Sequence, residues 1–311
     1  MNWYSLYHLT VASTLALPEA VRQAHRASLD EADVEISSAP HQARREPKPW
    51  FEVVGARHAR IHLADKATIE VKDGQRIVVR KDSAFDEALV RVYLLGSAMG
   101  CALHQRGVLP LHVSAVEING QAWAFTAPSG TGKSTLAARL HGLAGCGLVS
   151  DDVAALEFFD GQAHVAGGPP LLKLQPDVAA LLTQATTRPG PRPDNDKLSV
   201  HPTAGFIQGW VPLAGIIVLE RDDTLAAGSL AIEPLRGADA FVGAREAVYR
   251  FELGWAMRSP AGMFQTLTEL TRRIPLYRGQ LGRWSAADGP AGAMAIVERL
   301  ATLAQSSQVL R

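Results

Sequence analysis

Short alternations of apolar and polar residues dominate the first third of the chain. Residues 59–63, 68–71 and 76–79 carry apolar side chains at close to every second position, the period of a half-buried strand. Asp73-Gly74, between the last two, is a two-residue hairpin signal. Residues 9–20 are mildly apolar with no basic segment before them, so they read as a strand entering a turn at Pro18 and not as a signal peptide. Residues 37–49, with three prolines and several charges, read as a loop.

The period then lengthens. Over residues 86–105, Leu89, Val92, Tyr93, Ala98 and Leu103 follow helical spacing until Gly107 and Pro110 end it. Two short strands follow, 113–118 and 122–126, joined by Asn119-Gly120, the strongest hairpin dipeptide. A helix over 133–143 and a strand over 147–150 lead to Asp151-Asp152. Beyond Gly167-Gly168-Pro169-Pro170, a helix is predicted over 176–184. Residues 186–197 hold three prolines and five charged side chains and read as an exposed, mobile loop. The continuous apolar run 213–219 is a strand of buried type. A strand (230–235), two helices (238–249, 260–273), a strand (275–281) and a helix (290–304) complete the pattern. It predicts an α/β fold: a β-rich N-terminal domain, residues 1–85, before a larger domain, residues 86–311, with a central mixed sheet.

Composition narrows the function. The 311 residues are 47% hydrophobic and 20% charged, as in ordinary globular proteins. Lysine plus arginine and aspartate plus glutamate number 31 each, so the formal net charge is zero. That balance argues against nucleic acid and against an anionic membrane surface as partners. No run approaches the ~18 apolar residues of a membrane span. The two cysteines, Cys101 and Cys146, form no CxxC pair; a reducing cytoplasm fits best, with both as small buried hydrophobes.

The chemistry concentrates at residues 127–135, Ala-Pro-Ser-Gly-Thr-Gly-Lys-Ser-Thr. Gly130 and Gly132 let the backbone turn its N–H groups inward on an anion, and the helix beginning at Lys133 adds the positive end of its dipole. Ser129, Gly130, Thr131, Gly132, Lys133, Ser134 and Thr135 are therefore the candidate nucleotide-phosphate residues. Lys133 would reach the β- and γ-phosphates and the Ser134 hydroxyl would ligate magnesium. One position departs from the strict motif: Ala127 stands where glycine is usual, which is tolerable if its φ is negative. Phosphoryl transfer also needs carboxylates. Asp151 and Asp152 end a strand 18 and 19 residues after Lys133. Adjacent strand residues face opposite ways, so both reach one site only if the chain bends there.

The block Leu111-His112, Ala115-Val116-Glu117-Ile118-Asn119-Gly120, Ser129 to Ser134 and Leu148-Val149-Ser150-Asp151-Asp152-Val153 resembles the HPr serine kinase/phosphorylase family. There, a histidine precedes a hairpin into the phosphate loop, and a strand ending in two aspartates follows. The similarity covers about 45 residues, and the N-terminal third does not look like that family's regulatory domain. The chain is more similar to shorter HPr-kinase-related proteins found beside peptide-modification genes, including kinases of lasso-peptide precursors. The resemblance implies ATP and Mg2+ as cofactors and transfer of the γ-phosphate to a serine or other hydroxyl of a peptide or small protein. It implies Asp151 as general base near His112, and Asp152 with Ser134 on the metal, though the two aspartates could exchange roles. The family tends to form homo-oligomers, and oligomeric state stays open here. Lys173, Arg192 and Lys197 are further candidates for offsetting phosphate charge from nearby loops. A transport ATPase is disfavoured by the lack of a Leu-Ser-Gly-Gly-Gln signature, and a GTPase by the lack of Asn-Lys-x-Asp. A small-metabolite kinase and a non-catalytic module that binds nucleotide and peptide remain as alternatives.

Overall fold

The alternating segments of the first third pair into one sheet. The structure is a computed structural model that describes residues 1–25, 28–40, 50–63, 66–191, 196–284 and 288–309. Strands β1 (Asn2–Leu6), β2 (Leu9–Ser13), β3 (Val21–Arg22), β4 (Val34–Pro40), β5 (Phe51–Gly55), β6 (His58–Leu63), β7 (Ala67–Lys72) and β8 (Arg76–Lys81) lie in the order β3-β1-β2-β4-β8-β7-β6-β5. The β7–β8 turn falls at Asp73-Gly74, both with positive φ, as their sequence demands. Residues 37–40 differ from the expected loop: they finish β4, parallel to β8, with Val34 and Ile36 fully buried. Pro40 is tolerated there as the strand's last residue. The rest of that expected loop, 41–49, lies outside the described residues.

One face of this sheet carries Ile36, Ile61, Ile69, Ile77 and Val79 into a core shared with the next helical segment. That segment is α1 (Glu87–Tyr93), a π-helical turn (Leu94–Ala98) and α2 (Met99–Arg106). The Asp86 carboxylate caps it by accepting from the Ala88 N–H at 2.8 Å, and Gly107, with φ 85°, ends it. Spacing predicted one helix but not the π turn within it. The ring of Tyr249 lies so close that a Cβ on Gly100 would stand 2.8 Å from it.

The larger sheet has nine strands: β9 (Leu109–Leu111), β10 (Ser114–Ile118), β11 (Gln121–Thr126), β12 (Cys146–Ser150), β13 (Ala154–Phe159), β14 (Gln162–Gly167), β18 (Val211–Arg221), β19 (Leu230–Pro234) and β20 (Leu276–Leu281). Its centre is parallel, with β11, β18 and β20 side by side, while the outer pairings are antiparallel. Helices cover both faces. Trp123 and Phe125 of β11 point to α3 (Lys133–His141) and α8 (Ala291–Val309). Ala122 and Ala124 point to α5 (Gly237–Ala247) and α7 (Pro260–Arg273). A strand buried on both sides has no polar face to show, which explains the unbroken apolar runs of β11 and β18. A further helix, α6 (Phe251–Met257), falls between α5 and α7 where no helical period was evident.

Strands β15 (Leu172–Leu174), β16 (Ala185–Pro189) and β17 (Leu198–Pro202) form a third, small sheet in the order β15-β17-β16. This revises two expectations. The helix expected over 176–184 is the short α4 (Pro176–Ala179), and residues 186–189 of the expected loop belong to an edge strand, while 192–195 lie outside the described residues. Thr186 and Thr187 suit a strand by their β-branching, and almost all of β16 is exposed, so no apolar alternation advertises it. The fold is therefore mixed α/β with several sheets. No helix among the described residues is long and apolar enough to cross a membrane.

Candidate functional site

The site is built where β11 ends. The β10–β11 hairpin turns at Asn119 and Gly120, with φ of 53° and 80°. Buried β11 then delivers residues 127–132 to the N-terminus of α3. Gly130 and Gly132 take φ of 87° and 114°, values that side chains resist. Ala127 is not among the residues with positive φ, so its departure from glycine costs nothing in the backbone. Among the described residues no side chain caps α3, which leaves its first N–H groups for another acceptor. Lys133 is 9% exposed and its ammonium donates to the Ala127 carbonyl at 2.7 Å, closing the loop on itself. Burial lowers its pKa, opposed by the charges of Asp151 and Asp152, while Lys197 lowers it further. Lys197 is thus near enough for its charge to be felt in the site. Ser129 is exposed on the loop, and Thr131 binds back to the Pro128 carbonyl at 3.0 Å. Thr135 sits half-buried in the first turn of α3. Arg192 lies outside the described residues.

Strand β12 pairs antiparallel with β10 and ends beside the loop. Asp152 adopts φ 86°, a left-handed conformation unusual for a residue with a side chain. This bend brings both carboxylates to one place. Asp151 Oδ1 accepts from the Ser134 hydroxyl at 2.9 Å and from the Ser114 hydroxyl at 2.5 Å, and Oδ2 accepts from the Lys173 N–H at 3.2 Å. Asp152 Oδ2 accepts from the Lys173 ammonium at 2.7 Å, and Oδ1 lies 3.7 Å from His112 Nε2.

The electrostatics follow from this packing. Burial pushes the Asp152 carboxyl up, but Lys173, His112 and Lys133 outweigh it and hold the pKa at about 2. Burial also lowers the Lys173 pKa, and there Asp152 wins and the net direction is upward. For His112, burial prevails: together with Lys133 and Lys173 it lowers the imidazole pKa against the pull of Asp152 and Asp151. His112 is held in place by its backbone, whose N–H donates to the Ala247 carbonyl at 2.6 Å, and its ring lies 5.8 Å from that of Tyr249.

The structure thus gathers Lys133, Ser134, Asp151, Asp152, His112 and Lys173 into one cluster. Sequence reasoning missed Ser114 and Tyr249, and nothing in their local sequence marks them. Ser134 and Asp151 supply hard oxygens of the type that magnesium takes alongside phosphate oxygens. Among the described residues there is no group of three or more His, Cys, Asp or Glu side chains placed for a metal, so such an ion would depend on the phosphates for further ligands. A groove of about 540 Å³ between β19 and α8, bordered by Gly228, Ile232, Gly292 and Ile296, contains none of these residues.

Comparison with known proteins adds a likeness and no family. No protein-family model matches the chain, and no curated protein does. Among solved structures it is similar to the HPr(Ser) kinase/phosphatase from Coxiella burnetii. The match has 13% identity and a TM-score of 0.34 over 64% of this chain and 95% of that one.

Proposed function

We propose that the chain is a P-loop phosphotransferase of HPr-kinase-like type, which moves the γ-phosphate of ATP to a hydroxyl of a peptide or small protein. The observation that carries this reading is the meeting of Ser134 and Asp151 at 2.9 Å, with Lys133 on the same helix turn and Asp152 beside His112. A bare anion-binding loop needs Lys133 and its amides; it has no need of two carboxylates drawn in by a strained backbone.

In this reading the loop amides and Lys133 hold the phosphates, with Ser129 and Thr131 shaping the loop and Thr135 in the first helix turn. Ser134 and Asp151 would hold magnesium, which would supply positive charge against the phosphates. The bond from Ser134 to Asp151 favours Asp151 as the metal-side carboxylate, which exchanges the roles that the family resemblance first implies. Asp152, flanked by His112, then orients the acceptor hydroxyl and receives its proton. Lys173 and Lys197 supply positive charge against the transferring phosphoryl group. Catalysis of this kind rests on positioning and charge, and a carboxylate with a low pKa is adequate to it.

The test is incubation with magnesium, γ-labelled ATP and candidate peptides, comparing the unaltered protein with Lys133→Ala, Asp151→Asn and Asp152→Asn. Label on a peptide hydroxyl, lost in all three variants, supports the kinase. Label on small hydroxylated metabolites alone would shift the acceptor class. Nucleotide binding without transfer to any acceptor would leave a binding module.

A further inference from the structure

Tyr7 and His8 form the two-residue turn between β1 and β2, and both have positive φ, 56° and 62°. Such turns favour glycine and asparagine, and aromatic side chains adopt this backbone at a cost. The turn is not a free hairpin tip. The Tyr7 N–H donates to the Gly167 carbonyl at 2.8 Å, and its hydroxyl donates to the Leu95 carbonyl of the π turn at 2.8 Å. Its ring lies flush on Gly168, where a Cβ would stand 2.7 Å from Cζ and Oη. Tyr7 is only 2% exposed, and the His8 ring lies 5.8 Å from that of Trp210.

Gly167 ends β14, and Gly168 begins the segment that leads to β15. A Cβ on Gly167 would fall 1.7 Å from the carbonyl oxygen of Val149, two residues before Asp151. Lys173 stands five residues beyond Gly168. One short segment therefore touches Tyr7 on one side and the aspartate strand on the other, and ends at the lysine that binds both carboxylates. Neither glycine can gain a side chain without moving a neighbour.

We infer that the Tyr7–His8 turn is a positioning element of the active site: through Gly167 and Gly168, Tyr7 fixes Lys173 on Asp151 and Asp152. The inference rests on the phosphotransferase reading. It makes the N-terminal sheet part of the catalytic unit, acting from more than 150 residues away in sequence. The Lys133 ammonium is held by the Ala127 carbonyl, outside this segment, so the turn acts on turnover more than on nucleotide binding.

The test is a double-mutant cycle on the full chain, with Gly168→Ala, Lys173→Met and the pair. Turnover, KM for ATP, affinity for a fluorescent ATP analogue and Tm are measured together. Gly168→Ala is expected to lower kcat about 10- to 100-fold, the size of effect a displacement near 1 Å produces, with analogue affinity within about twofold. The double variant should be no slower than the slower single variant, because both changes remove one interaction. Tyr7→Phe, which keeps the ring on Gly168, should retain most of kcat, whereas Tyr7→Ala should match Gly168→Ala. Tyr7→Ala also serves for the cycle if Gly168→Ala does not fold. Multiplicative losses in the double variant, or a lower Tm with kcat intact, would overturn the inference. A wild-type protein that binds the analogue yet transfers phosphate to no acceptor would overturn the phosphotransferase reading and this inference with it. An active wild type with multiplicative losses overturns this inference alone.

Discussion

Lys173 holds Asp152 by its side chain and Asp151 by its backbone: Nζ lies 2.7 Å from Asp152 Oδ2, and the Lys173 N–H lies 3.2 Å from Asp151 Oδ2. Both partners of the ion pair are about a third exposed, so water screens it. The Asp152 carboxyl is displaced from its ordinary 3.8 to about 2: burial raises it, and Lys173 leads the charges that lower it. A depressed carboxyl pKa stabilises the fold above the unfolded value and loses that contribution as pH falls through the folded value. Lys173→Met should therefore cost roughly 1 kcal/mol at pH 7. The difference from the unaltered protein should shrink toward pH 2. Urea unfolding at pH 7 and pH 2.5 checks both, and equal stability at pH 7 would show that the pair contributes nothing.

Two serines share one oxygen of Asp151, and they should separate by what they do. Ser114 is fully buried and Ser134 half-buried at the helix start. Removing the Ser114 hydroxyl leaves a buried gap and costs about 1 kcal/mol of stability. Removing that of Ser134 should leave Tm nearly unchanged but weaken the magnesium dependence of turnover by roughly tenfold or more. A magnesium titration of Ser134→Ala and Ser114→Ala, with Tm for each, distinguishes them. Identical magnesium curves for Ser134→Ala and the unaltered protein would remove Ser134 from the metal.

The glycines of the loop from Ala127 to Thr135 offer a cleaner backbone experiment. Among the described residues nothing lies within 4 Å of the point where a Cβ on Gly130 would stand, so a substitution there meets only the strain of φ 87°. Asparagine tolerates left-handed backbone better than alanine does. Gly130→Asn should thus retain more nucleotide affinity than Gly130→Ala, although it is the larger change. The alanine variant should lose about 1 kcal/mol or more of stability. Isothermal titration with ATP gives the ranking, and the reverse order would mean that side-chain bulk, not φ, limits this position.

What the sequence disclosed and what it hid divide along one physical line. The loop from Ala127 to Thr135 was legible because contiguous residues encode its geometry: glycines for positive φ, then a helix start. The hairpins at Asp73-Gly74 and Asn119-Gly120 were legible for the same reason. The convergence of Asp151 and Asp152 was only conditionally legible, since it needs Asp152 at positive φ, and no residue type announces that. Lys173 was visible as a cation but not as the partner of both aspartates, because its three-residue strand is specified by pairing with Val200, Ser199 and Leu198 across a distant loop. Ser114, Tyr249 and Tyr7 were invisible: each reaches the site through tertiary packing, and their local patterns read as ordinary strand and turn.

His104 supplies a pH effect separate from the chemistry. It is 2% exposed in α2, and its Nε2–H donates to the Tyr249 carbonyl at 3.1 Å while Nδ1 is buried with no partner among the described residues, so the ring is neutral. Burial lowers its pKa to about 4, against the bond to Tyr249, with the Arg258 charge acting the same way as burial. The unfolded chain takes up a proton at the ordinary 6.5, and the folded one only near 4. Across that window the unfolded state binds more protons, so stability falls as pH drops from 6.5 to about 4. The loss is of order 3 kcal/mol at most, since each unit is about 1.4 kcal/mol. His104→Gln keeps a donor for the Tyr249 carbonyl and cannot titrate. It should flatten the stability profile between pH 6.5 and 4, measured by urea unfolding at several pH values. An unchanged slope would assign the acid sensitivity to other groups and show that protonated His104 is accommodated where it sits.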